Sequence, residues 1–235
     1  MSAPGLRWGA ASGMIFCLLW APLALVLPLL PNLGSSAEID HFYSSHKDLL
    51  RVVVLLLSLA FFFFLGFLGA LVEWLRREEE SGPLVWVVFA SALMFMTGLN
   101  VGVGLIASTA LLSDTVGPEI THALHSGAFL LAAPAAGPGI AFFAAIAMLS
   151  FRTEVFPRWL AWLAIVAALV NVGALGGIFS LTGPLNSGNG AVGGLPGPIL
   201  AWWLWTLLAS RFLIAHARSQ PAILSPAPTG SSPDC

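Results

Sequence analysis

Residues 49–75 read LLRVVVLLLSLAFFFFLGFLGALVEWL, and between Arg51 and Glu73 no side chain is charged. The hydrocarbon core of a bilayer is about 30 Å thick, so a helix crosses it in roughly 20 apolar residues. This run is long enough. Hydrocarbon offers no hydrogen bonds, so each backbone N–H and C=O must be satisfied within its own segment, which dictates a helix.

Five further runs of similar character flank it, at about 8–30, 84–112, 119–150, 159–182 and 196–215. They fill most of a 235-residue chain in which 58% of residues are hydrophobic and 9% charged. A mean hydropathy of +0.92 excludes an ordinary soluble domain. The reading is an all-α, polytopic membrane protein, with a bundle of six transmembrane helices over 1–218. The remainder, 219–235, is rich in Pro and Ser and is expected to be a disordered tail.

Charge placement orients the bundle. Arg7, Arg76, Arg77, Arg152, Arg158, Arg211 and Arg218 fall on one side of the expected membrane, against Lys47 and Arg51 on the other. By the positive-inside bias both termini are cytoplasmic, and the membrane is the plasma (inner) membrane. The first run is longer than a signal-peptide core and lacks a convincing small-x-small cleavage site, so it is read as a helix, bent by Pro22 and Pro28. Cys17 and Cys235 belong at different depths, which implies no disulfide framework.

The stretch Pro31 to Asp48 is expected to be the one sizeable polar loop on the outer side. It holds His41, His46 and Asp48, with Arg51 just beyond. In span 4, Glu119, His122 and His125 recur every three residues, which places neighbouring members on one helix face. Imidazoles and carboxylates gathered there have three chemical uses. His125 or Glu119 can act as general acid or base. The group can line a head-group pocket. His122 and His125 can also ligate a divalent metal with a third donor from the first outer loop, although the zinc-protease pattern is absent and no cofactor is predicted. The structural alternative is an interfacial helix start, with Glu119 favouring the positive end of the helix dipole.

Three further features bear on a ligand path. Span 4 reads APAAGPG over 133–139, and Pro134 with Pro138 removes two backbone donors, so a kink or break around Pro134 and Gly137 is expected. Such a break either packs against a neighbour or lines a cavity. Asn100 and Asn171 sit mid-span within matching Leu-Asn-Val-Gly and Val-Asn-Val-Gly stretches, which is either chance similarity among glycine-rich membrane helices or a faint repeat that relates spans 3–4 to 5–6. Each amide is expected to hydrogen-bond across helices or to add polarity to a pocket. Trp202 and Trp205 open span 6 and read as part of an aromatic belt at the outer interface, with a pocket-lining role as the alternative. The loop 183–198 is uncharged and glycine-rich, a flexible connector or a mobile flap.

No Asp, Glu, Lys or Arg lies in the central third of any run, which argues against an ion-coupled pump. No phosphate-binding glycine motif and no basic patch support nucleic-acid binding. From His46-Lys-Asp-Leu-Leu-Arg51 through Phe156-Pro-Arg-Trp-Leu-Ala-Trp162 to Arg211, the chain resembles a family of uncharacterised bacterial six-span integral membrane proteins with a domain of unknown function. The resemblance implies fold and localisation and assigns no catalytic residue.

The functional expectation is therefore binding or conversion of a small lipophilic, isoprenoid-like molecule in an outer cavity. His122, His125 and Glu119 would carry it, and His41, His46, Asp48 and Arg51 would assist from the first outer loop. Asn100, Asn171 and the Pro134–Gly139 break would lie beneath. A passive permease and an accessory membrane subunit are the alternatives. Membrane lipids are the expected surroundings.

Overall fold

A computed structural model describes residues 3–31, 33–78 and 82–219. Among these the chain is helical, with no strand. Its α-helices are α1 (Ala3–Trp20), α2 (Leu23–Val26), α3 (Ser36–Glu78), α4 (Pro83–Leu112), α5 (Pro118–Ala132), α6 (Ala136–Thr153), α7 (Arg158–Leu175) and α8 (Pro196–Ser219). Single 3-10 turns follow α2, α5 and α7, at Leu27–Leu29, Ala133–Ala135 and Gly176–Phe179. Five helical stretches are long and apolar enough to cross a membrane: α3, α4, α5 continuous with α6, α7 with its 3-10 turn, and α8. The protein is accordingly membrane-embedded and multi-pass. The expected tail lies outside the described residues, except Ser219, which ends α8.

The first segment is the least regular. Its helix ends at Trp20, before Pro22, and the chain continues as one short helix and one 3-10 turn. These pieces make contacts near the end of α8 and on the second turn of α5. At one end Arg7 donates to the Ala217 carbonyl at 3.0 Å. At the other, the Leu33 carbonyl accepts from His122. Packing along the way uses small residues, as close helix contact in lipid requires. A Cβ on Gly9 would collide with Ala70 of α3, and one on Gly13 with Ser210 of α8 and Phe67 of α3. Trp203 and Cys17 clasp α8 to α1 from both sides: the indole Nε1 donates to the Cys17 carbonyl at 2.8 Å, and the thiol donates to the Trp203 carbonyl at 3.5 Å.

α3 departs from expectation at its start. The stretch expected to be a loop up to Asp48 is helical from Ser36 and carries His41, His46 and Asp48 on its first four turns. The cause is a capping signal. Ser35 accepts the Glu38 N–H on its side-chain oxygen at 3.3 Å, in a Ser-x-x-Glu arrangement that suits a helix N-terminus. At 1.5 Å per residue α3 is roughly 65 Å long, so it outruns the hydrocarbon at both ends. Proline opens α4, α5 and α8, at Pro83, Pro118 and Pro196, where the missing N–H would have no partner anyway. α6 stops at Glu154, whose left-handed φ of 56° turns the chain back.

The helices close a ring in the order α3, α1, α8, α7, α6, α4 and back to α3, with α5 stacked on α6 and packed on α4 and α3. The centre of this ring is filled. Trp202 is stacked between Phe95, centroid distance 4.5 Å, and Phe142, 4.2 Å, and Phe64, Phe143 and Trp205 complete the cluster. Trp202 and Trp205 are fully buried. This corrects their reading as interfacial belt residues. α8 begins at Pro196, so both indoles lie about two turns inside it and face the ring.

Candidate functional site

The two ends of the bundle differ in chemistry. One carries His41, His46, His122 and His125 and the connections 33–35, 113–117 and 180–195, and is the histidine end of the bundle. α3 supplies Tyr43 there, on a turn that also presents Phe42 to the interior. α5 supplies His125, buried completely one turn below His122. The Tyr43 hydroxyl and His125 Nδ1 are 2.9 Å apart. Thr109 of α4 is buried in the same half of the bundle, its hydroxyl donating to the Leu105 carbonyl at 2.7 Å. His125 Nε2 has no hydrogen-bond partner among the described residues.

His122 does something else. Its Nε2 donates to the Leu33 carbonyl at 2.6 Å, and Ser126 reaches the same oxygen at 3.4 Å. Leu33 is itself buried, with its side chain against Gly188 of the long connection between α7 and α8. His122 thus fastens the α1–α3 link beneath that connection. The connection is a folded cap. Asn186 accepts from the Gly188 and Asn189 amides at 3.0 and 2.9 Å and donates to the Gly183 carbonyl at 2.6 Å. The Val192, Gly193 and Leu195 amides bond back to Pro184 and Ser187.

The remaining residues singled out in the sequence are dispersed. Glu119 is exposed, as are His41, Asp48 and Arg51; the last two form an ion pair at 3.5 Å. His46 is half-buried, stacked on Phe42 and bonded to the Phe42 carbonyl. Lys47 pairs with Asp114 across α3 and the end of α4. Glu119, His122 and His125 therefore do not converge: the three-residue spacing winds around α5 from solvent to core. Among the described residues no group of three or more His, Cys, Asp or Glu is placed to hold a metal ion.

The mid-span features separate too. Asn171 is fully buried; its amide donates to the Ala167 carbonyl at 2.8 Å, and its Oδ1 lies against Gly139. Asn100, its partner in the faint repeat, is exposed on the outside of α4. Pro134 is exposed as well, and a Cβ on Gly137 would meet only open space. The Pro134–Gly139 stretch is not unwound. The helix tightens into one 3-10 turn there, and the Ala136 N–H returns to the Ala133 and Pro134 carbonyls.

A cavity of about 100 Å³ opens in the histidine-side half of the bundle. It lies between α3, α4, α5 and the Leu23–Leu30 segment, with Leu195 and Ile199 closing one side. Every lining residue is apolar. None of the site residues expected from sequence lines it. Phe42 and Phe129 do, and both rings also pack on His125, at centroid distances of 6.1 and 5.0 Å. The Tyr43–His125 pair is thus separated from the cavity by two phenyl rings. The sequence signal for this wall was available but nonspecific: Leu50, Val53 and Leu57 on α3, and Leu99, Gly102 and Ile106 on α4, each recur at helical spacing.

No protein-family model, curated protein or solved structure matches this chain. The functional reading therefore rests on the site itself.

Proposed function

We propose that this protein binds a small lipophilic molecule in the apolar cavity beside the Tyr43–His125 pair. The cavity's composition carries the reading: about 100 Å³ lined by aliphatic and phenyl groups alone. A hollow of this kind has no groups to order water and favours hydrocarbon.

Binding is a better fit than conversion. An acid–base role needs free, convergent groups. Here Nε2 of His122 holds the Leu33 carbonyl, Nδ1 of His125 holds Tyr43, and Glu119 is exposed. The tightened turn at Ala133–Ala135 likewise offers no unwound backbone for a solute path. The arginine distribution supports a plasma-membrane protein with cytoplasmic termini and an outward-facing histidine end.

The test is titration of the protein, in phosphatidylcholine nanodiscs, with a fluorescent fatty alcohol and a hydrocarbon analogue. Val54→Phe and Val103→Phe place phenyl rings in the cavity from half-buried positions. Saturable binding that both substitutions abolish, with helicity unchanged, is the expected result. Absence of saturable binding to either probe overturns the reading. Solute flux in proteoliposomes, insensitive to both substitutions, would favour a permease instead.

A further inference from the structure

Asn100 lies near the middle of α4, about 26 Å of helix from Pro83 and about 18 Å from Leu112 at 1.5 Å per residue. Its side chain is exposed on the surface of the bundle and has no hydrogen-bond partner among the described residues. In water such an amide is hydrated. In hydrocarbon it is not, and an unpaired amide there is unfavourable by several kcal/mol on the cyclohexane scale. Its neighbours on that face are small or slender. Thr97, Val101 and Gly104 are exposed, and a Cβ at Gly104 would touch nothing within 4 Å. The other outward faces are bulky: Leu55, Leu59 and Phe62 on α3, and Trp162, Val166 and Leu169 on α7.

We infer that a second copy of this chain docks on the Thr97–Asn100–Gly104 face, with the two Asn100 amides hydrogen-bonded to each other. A carboxamide carries both a donor and an acceptor, so it is complementary to its own copy. Two copies inserted in one orientation bring Asn100 to the same depth, and a twofold axis along the membrane normal sets the amides opposite one another. The gap at Gly104 lets the two α4 backbones approach closely enough for that contact. The interface is independent of the cavity and of what fills it.

The test uses the full-length chain, labelled at its C terminus with donor or acceptor dye, in phosphatidylcholine vesicles over a range of protein-to-lipid ratios. Energy transfer should rise to a dimer plateau. Asn100→Leu should move the midpoint to protein densities about 3- to 30-fold higher, the range expected for interhelical polar contacts of roughly 0.6–2 kcal/mol. Asn100→Gln, which keeps an amide, should recover part of the shift. Gly104→Leu should weaken association as well, and Leu59→Ala on α3 should not. All three positions are exposed, so circular dichroism should show intact helices throughout. A wild-type chain that stays monomeric at every density overturns the inference, and so does an Asn100→Leu midpoint equal to that of the wild type.

Discussion

Tyr43 Oη and His125 Nδ1, 2.9 Å apart and both withdrawn from solvent, join α3 to α5 at the edge of the apolar cavity. Tyr43→Phe should leave the imidazole with neither nitrogen engaged. A buried group stripped of its partner is destabilised by about 1–3 kcal/mol. Removing both, in Tyr43→Phe with His125→Leu, should be less than additive. The measurement is a double-mutant cycle on reversible unfolding in mixed micelles, with an expected coupling of about 0.5–2 kcal/mol. Strict additivity would show that the contact does not form.

His122 and Glu119 look alike in the sequence as members of one polar face, and the structure assigns them different tasks. His122→Ala should release the Leu33 carbonyl and speed amide exchange across residues 33–36, with a stability loss of about 1 kcal/mol. Glu119→Ala, at an exposed position, should stay within about 0.5 kcal/mol of wild type. Equal effects of the two substitutions would contradict the latch.

Gly139 and Gly137 give a sharper contrast. A Cβ at Gly139 would overlap Asn171 Oδ1 and press on Phe95, so Gly139→Ala should cost about 1–3 kcal/mol through overpacking. Asn171→Ala in the same background should restore part of that loss. A Cβ at Gly137 meets nothing, so Gly137→Ala should be neutral or stabilising by up to about 1 kcal/mol, from the helix preference of Ala over Gly. Thermal unfolding of the three variants decides it, and a destabilised Gly137→Ala would be the adverse result.

These contrasts also show how far the sequence reading reached. The apolar runs predicted the helices because lipid leaves the backbone no alternative. Periodicity did not reveal facing. Asn100 and Asn171 occupy matching tetrapeptides, yet one faces outward and the other Gly139, because exposure depends on which neighbours the ring places alongside. Trp202 and Trp205 matched an interfacial belt by position, whereas Pro196 starts α8 early enough to carry them into the core. The Ser35–Glu38 cap was present in the sequence and turns most of an apparent loop into the start of α3. The cavity was hidden for a different reason: ordinary Leu, Val and Phe line it, and only their arrangement leaves a space.

The connection between α7 and α8 tests whether glycine content means mobility. Asn186 holds it with two accepted amides and one donated bond, and it is buried to 2% exposure. Gly190 and Gly193 approach neighbouring carbonyls too closely to carry a Cβ, so glycine here permits compactness. Asn186→Ala should remove all three bonds. At about 1–2 kcal/mol of lost protection, exchange at Gly188 and Asn189 should quicken roughly 5- to 30-fold, read by mass spectrometry in nanodiscs. Leu33, seated against Gly188, should quicken with them, because its carbonyl latch to His122 sits under the same cap. Wild-type amides already exchanging at the rate of an open loop would mean that the cap does not form and that the segment is a free connector.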